Sequence, residues 1–427
     1  MAFFGMRGTG DWADNERPEN WRETILYLYP NGTAPLTAML SMLGSESTND
    51  PKFHWWTKGL PKQGGEAIGV FADEDLQNAV TGTPEAGDML YIQAPEDIVA
   101  EFRIGHTALI AEQDTAVEYA IGKVIERALN GASSYVRIDI LKDSSFEVEN
   151  TNVVFVSGNV NAEGVEMPDN IHYDPVQFTN VTQIFRTPLR ITRTARKTRL
   201  RTKASYEEQK REALELHAME MEDAFLTGVM SENTGENGKP ERTTQGIITT
   251  IKEYFPDNIH TFHTDPDYAG EEWATSSGGE DWLNETLGQA FIYGSRDKLG
   301  LCGNRAITAI NKLVRENASY QIFSREAAYG IEVKEWVTPH GTVYLKTHPR
   351  FNHRDFRSRD ILLIEPERLK FRYIDDTFFV DDPEDQMNRN NSKDATEEEF
   401  ITEAGLEWHH PEVFHYFSGL GRDNELT

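Results

Sequence analysis

The sequence changes character once, sharply, at Ser205. Ahead of it the stretch from Arg186 to Lys203, RTPLRITRTARKTRLRTK, holds eight Lys or Arg, and no acid occurs between Asp174 and Glu207. Behind it, SYEEQKREALELHAMEMEDAFLTG places Leu214, His217, Ala218, Met221, Ala224 and Phe225 at helical spacing. Ser205 with Glu208 three residues on forms a capping box, in which two side chains answer orphan N–H groups of the first turn. Gly228 supplies a stop. The spacing predicts a helix of about 22 residues within 205–228, about 33 Å long at 1.5 Å per residue. The Thr/Arg alternation before it predicts extended backbone, because β-branched side chains pack well on a pleated surface.

The net charge of −29 sharpens the question of what so basic a strip faces. Nucleic acid is one partner: Arg186–Lys203 would then be a binding strip, and this is the alternative functional reading. Yet the strip holds no aromatic residue for base stacking, and the chain as a whole repels phosphate. A bare solvated strand face leaves eight like charges without a counter-surface. An interface answers both observations: a basic strand laid on an acidic neighbouring copy satisfies the local and the global charge. The expected contact residues are Arg186, Arg190, Arg193, Arg196, Lys197, Arg199, Arg201 and Lys203. Opposite them stand acids such as Asp375, Asp376, Asp381 and Asp382.

Along the chain, residues 1–52 read as an arm with one short helix, TAPLTAMLSML. Thr33 caps it, Gly44 stops it, and Leu36, Met39, Leu40 and Leu43 share a face. KFHWWTKGLP (52–61) reads as a strand. From about 66 to 178 the short β-branched and aromatic runs predict a compact β-rich region, interrupted by a helix over AVEYAIGKVIERAL. Residues 229–245 and 256–281 read as loops, WLNETLGQAFIYG and RAITAINKLVRENA as amphipathic helices. IEVKEWVTPHGTVYLKTHP reads as a hairpin, and DILLIEPERLKFRYI as two strands. No run is long and apolar enough to span a membrane. The first residues lack the basic start and apolar block of a signal peptide. One cysteine, Cys302, rules out an internal disulfide framework, and a reducing place of synthesis is expected.

The chemical motifs are sparse. YIDD (373–376) is similar to the metal-holding turn of reverse transcriptases, but the third carboxylate and nucleotide site of a polymerase have no counterpart, so a Mg²⁺ enzyme at Asp375 and Asp376 is a weak alternative. The histidines of HTFHTDPD (260–267) and HHPEVFH (409–415) lack the spacing of a zinc hydrolase and read as ordinary polar residues. GMRGTG (5–10) follows no strand and opens no helix, so it fails as a phosphate loop. No metal, cofactor or catalytic residue is expected, and the chain is read as a non-enzyme.

The order of elements resembles the major capsid proteins of tailed double-stranded DNA phages. The resemblance is carried by NVTQIFRTPLRITRTARKTRLRT, EEQKREALELHAMEMEDAFLTG, TTQGIITTI, YGIEVKEWVTPHGTVYLKTHP and DILLIEPERLKFRYI, over about 180–374. It implies an α+β fold shared with herpesvirus capsid proteins. The arm would be 1–52, and an extended loop 53–204 would carry a β-rich insertion at about 72–175. A peripheral domain would comprise 205–239 and 331–372 with a spine helix at 205–228. An axial domain and tail would comprise 240–330 and 373–427. It also implies hexamers and pentamers tiling an icosahedral shell around packaged DNA, made in the host cytoplasm. Portal, separate scaffolding and decoration proteins would be the partners.

Overall fold

Residues 45–426 of the computed structural model are described here, apart from 60, 81, 113–118, 146, 149–151, 165, 199–204, 318–320, 327–331 and 382–394. The expected arm helix, Arg199, Arg201, Lys203 and Asp382 therefore lie outside the described residues. The chain forms two units: Trp56–Val176, and Gln177–Thr427 together with the residues up to Trp55.

The first described strands are β1 (Ser45–Ser47) and β2 (Lys52–Thr57). In β2 the side chains alternate, with Phe53 and Trp55 buried and His54 and Trp56 exposed.

The unit Trp56–Val176 contains β3 (Gly64–Glu66), β4 (Gly69–Phe71), β5 (Met89–Gln93), a short helix α1 (Glu96–Ala100), β6 (His106–Ala111), β7 (Tyr119–Ala128), β8 (Tyr135–Ile140) and β9 (Val153–Asn159). The strand order is β3-β9-β6-β7-β8-β5-β4, antiparallel throughout. β3 and β4 stand at opposite edges, yet only Ala67 and Ile68 separate them. The Ala67 amide donates to Asn152 O at 2.9 Å and the Ile68 amide to Gln93 O at 2.7 Å. One bent strand thus ties the first edge to the last, and the sheet closes as a barrel. Val70, Ile92, Ile110, Val124, Ile138 and Val154 are among the side chains filling it.

The helix expected over 116–129 is β7 instead. Ala120, Gly122 and Val124 point inward at a period of two, and Ala120 and Val124 also satisfy a helical spacing, which is why the pattern misled. Gly122 settles the matter locally: a Cβ there would stand 2.0 Å from Ile138 Cγ2, so β7 and β8 approach too closely for any side chain.

The second unit continues with β10 (Val176–Val181), which pairs with β2, then β11 (Gln183–Thr192), α2 (Arg193–Lys197) and α3 (Ser205–Thr227). Next come β12 (Ser231–Thr234), β13 (Pro240–Thr243), α4 (Ile247–Tyr254), β14 (Ile259–Thr261), α5 (Asp281–Ala290), β15 (Asp297–Cys302) and α6 (Asn304–Asn317). The chain ends through β16 (Gln321–Glu326), β17 (Glu332–Val337), β18 (Thr342–Thr347), α7 (Pro349–His353), β19 (Ile361–Ile364), β20 (Leu369–Val380), β21 (Ala395–Trp408) and β22 (His415–Ser418). Two sheets organise it. A four-stranded sheet runs β1-β20-β21-β11, and a seven-stranded sheet runs β14-β22-β19-β15-β18-β17-β16.

The expected long helix is α3. It lies on β11 and β21, burying His217, Met221, Phe225 and Leu226, while Leu214, expected in the stripe, is exposed. Phe225 packs edge-on against Phe185 and Phe371, at 6.1 and 5.9 Å between ring centres. The helix stops at Thr227, and the next position must be glycine because a Cβ at Gly228 would stand 2.3 Å from Thr244 O; its amide still donates to Ala224 O. The 229–245 segment, expected as loop, folds into the β12–β13 hairpin. The hairpin β17–β18 is present, but it pairs with β15 in the seven-stranded sheet rather than with the strands under α3. Residues 183–192, expected to return along an extended loop, form an edge strand of the four-stranded sheet. Pro188 is tolerated there because an edge needs no amide on its open side.

Candidate assembly surface

The basic strip divides at Thr192. Along β11, Phe185, Thr187, Leu189 and Ile191 turn inward towards α3, while Ile184, Arg186, Pro188 and Arg190 point outward. β21 runs antiparallel beside it, with Arg186 opposite Ile401, Pro188 opposite Glu399 and Arg190 opposite Glu397. The Arg186 guanidinium donates to both Glu399 carboxylate oxygens, at 2.8 and 2.5 Å. Arg190 stands 3.7 Å from Glu397. These two arginines thus meet acids of their own chain, and the counter-surface expected only from a neighbour is partly internal. Even so, their side chains remain 60 % and 68 % exposed.

From Arg193 to Lys197 the backbone is helical, not extended, and at Thr198 it is extended again. Thr192 caps α2 by accepting from the Ala195 amide at 3.3 Å, which is where the β-branched alternation gives way. Arg196 lies over the Tyr206 ring, 4.6 Å from its centre, and donates weakly to Thr396. Arg193 and Lys197 occupy the same short helix.

On the inner side, Tyr206 donates to the buried Glu398 at 2.5 Å. Burial, and then the neighbouring Asp381 carboxylate, hold Glu398 above the usual carboxylate range despite Tyr206 and Arg196. His217 joins both strands, with Nδ1 3.0 Å from Thr187 Oγ1 and Nε2 2.7 Å from Thr402 Oγ1. Glu222 meets His348 at 2.7 Å, both fully buried, and Asp223 accepts from Arg350 and Arg354. These contacts pin the C-terminal half of α3 to α7.

The YIDD residues sit within β20 and not in a turn. The register with β21 slips on either side of Asp375, and Asp375 and Asp376 are exposed on the resulting bulge. Asp376 accepts from the Thr377 amide. Among the described residues no group of three or more His, Cys, Asp or Glu is placed to hold a metal ion. The histidines expected as loop residues are partly buried structure: His260 Nε2 lies 3.0 Å from His415 Nδ1, on paired strands β14 and β22. Burial holds His260 down to about 4 and His415 to about 3.

Sequence reasoning missed Glu397 and Glu399 as partners of the strip. Their signal was the strict alternation of ATEEEFITEAGLEW, which puts Glu397, Glu399, Ile401 and Glu403 on one face. It also missed that Ile184, Phe378 and Val380 lie exposed on that same outer face.

Among the described residues, a long helix backs one face of the four-stranded sheet, and the other face keeps exposed apolar side chains among paired charges. The chain belongs to the SU10 major capsid protein family, whose model matches residues 5–421. It is a structural protein of the phage capsid shell. It is 25 % identical over 361 residues to the major capsid protein of Pseudomonas phage PaMx41, covering 82 % of this chain and 78 % of that one. Among solved structures, the capsid of native GTA particle aligns over 95 % of this chain and 96 % of its own, at TM-score 0.45 and 9 % identity. The capsid of Myoviridae phage XM1 aligns over 94 % and 97 %, at TM-score 0.41 and 10 % identity.

Proposed function

We propose that copies of this chain assemble as hexamers and pentamers into an icosahedral shell enclosing packaged double-stranded DNA. Contacts between copies would centre on the basic strip. The observation that carries this reading is the charge arrangement: an acid-free segment in a −29 chain, with Arg186 and Arg190 more than half exposed even after pairing. Between copies of so acidic a protein, a shared basic strip converts repulsion into attraction and fixes orientation. Arg193, Arg196 and Lys197, with Arg199, Arg201 and Lys203 beyond them, extend the strip towards a neighbour; Asp375, Asp376, Asp381 and Asp382 offer carboxylates in return. Many modest contacts of this kind add up through multivalency in a closed assembly. The acidic surface also leaves packaged DNA free of sequence-specific binding.

Assembly takes place in the host cytoplasm, with portal and scaffolding proteins as partners and decoration proteins on the finished shell. Electron microscopy of the purified chain, alone and with the products of neighbouring genes, is the test. Closed shells with five-fold and six-fold capsomers are expected. A chain that stays monomeric across salt and crowding conditions refutes the reading.

A further inference from the structure

The outer wall of the 56–176 barrel carries an apolar band. Val153, Ala111 and Tyr119 stand side by side across β9, β6 and β7, and Phe155, Leu109 and Ile121 form the adjacent row. Directly paired residues share a face of a sheet. The intervening Ala108, Ile110, Ala120 and Val154 fill the barrel, so both rows face outward. The Leu141 amide donates to Ile121 O at 3.0 Å, which carries the second row on past β8. Leu141 is 52 % exposed, Tyr119 47 % and Phe155 39 %, while Leu109, Ile121 and Val153 are partly buried.

The setting of this band is acidic. Residues 56–176 hold twenty-one Asp or Glu against seven Lys or Arg. Glu66 stands opposite Val153, and Glu112 follows Ala111. Two cations adjoin the rows, and each has an acid of its own: Lys123 stands opposite Asp139, and Lys142 is followed by Asp143. We propose that this wall binds a basic polypeptide, a protein other than this chain, with Tyr119, Phe155 and Leu141 as the desolvated centre. The carboxylates around them meet Lys or Arg of the partner. Exposed apolar side chains with aromatics among them, gathered on one face, are the make-up of a protein contact, and the surrounding charge selects the sign of what docks. The same charge repels nucleic acid and anionic lipid, and it sets one such barrel against another. Because the sheet closes on itself, recognition runs through side chains rather than through an added strand.

An amphipathic Lys/Leu peptide serves as the probe, with a Glu/Leu peptide of the same spacing and a Lys/Ser peptide as controls. Fluorescence anisotropy reads their binding to the full-length chain. The Lys/Leu peptide should bind more tightly than either control by roughly tenfold or more, and Tyr119→Ser with Phe155→Ser should weaken it by a similar factor. Equal affinity for wild type and this variant, or for the probe and either control, overturns the proposal. The chain has a single cysteine, Cys302, and it is buried, so Leu141→Cys introduces the one accessible thiol. Saturating Lys/Leu peptide should slow maleimide labelling there by roughly tenfold or more. An unchanged rate overturns the proposal, and this comparison decides should the serine variant melt early. If the serine variant keeps its melting temperature yet lowers particle yield, the wall is a contact between copies and the proposal fails; equal yield supports it.

Discussion

Lys298 is a sensitive test of how this fold holds its charges. Its ammonium is fully buried and donates to Glu365 Oε1 at 2.9 Å, Val413 O at 3.1 Å and Tyr293 O at 3.3 Å. Burial draws the Lys298 pKa down. Burial would also raise that of Glu365, but Lys298 and Arg368 bring it below its ordinary value. Lys298→Met strands the Glu365 carboxylate and leaves two backbone carbonyls without this donor. Breaking a buried pair from one side costs about 3–5 kcal/mol. Glu365 keeps Arg368 at 2.8 Å and the Ser295 amide at 2.7 Å, which places the expected loss near the lower end, about 3 kcal/mol. Glu365→Gln alone leaves the ammonium buried without its carboxylate and should cost a similar amount. The double variant removes both charges and should fall short of the sum by about 2 kcal/mol. Urea unfolding of the unassembled chain reads all three, using Trp fluorescence, since Trp273, Trp282, Trp336 and Trp408 are buried in this unit. A Lys298→Met cost under about 1 kcal/mol, or strict additivity of the two changes, refutes the reasoning.

The His260–His415 pair makes stability depend on pH. Both imidazoles are held below their unfolded value of about 6.5, so the unfolded chain takes up protons first and stability falls as pH drops from there towards about 4. Between pH 6.5 and 5 the slope should approach about 1.4 kcal/mol per pH unit for each imidazole; denaturation curves with the same slope for wild type and the His260→Phe, His415→Phe variant would exclude it. In the barrel, Gly122→Ala would set a Cβ against Ile138 and Asp139 O, destabilising that unit by about 1–3 kcal/mol. Limited proteolysis should then cut within 56–176 sooner, and an unchanged cleavage rate counts against the close approach of β7 and β8.

Much of the frame is legible locally. α3, β2, the two amphipathic helices α5 and α6, and the β17–β18 hairpin follow from spacing and turn residues within a dozen or two positions. What escapes is set by distant parts of the chain. The inward row Ala120, Gly122, Val124 fits two periods until β8 is seen pressing on Gly122. The acids that meet Arg186 and Arg190 lie more than two hundred residues downstream, so the strip looks unanswered in sequence and half answered in space. The switch to helix at Arg193 hides because Thr192 caps as readily as it extends. Leu214 shows the converse: it keeps helical register with the stripe yet stands clear of the sheet.

The bent strand from β3 to β4 has a consequence for life inside a shell. Copies held side by side in a shell experience a high local concentration, the condition under which open strand edges recruit one another into runaway pairing. A unit folded as an open sheet would present two such templates per copy. By returning its first strand to its last, the 56–176 unit offers none along its seam, so β structure can be packed into a crowded lattice without seeding aggregation.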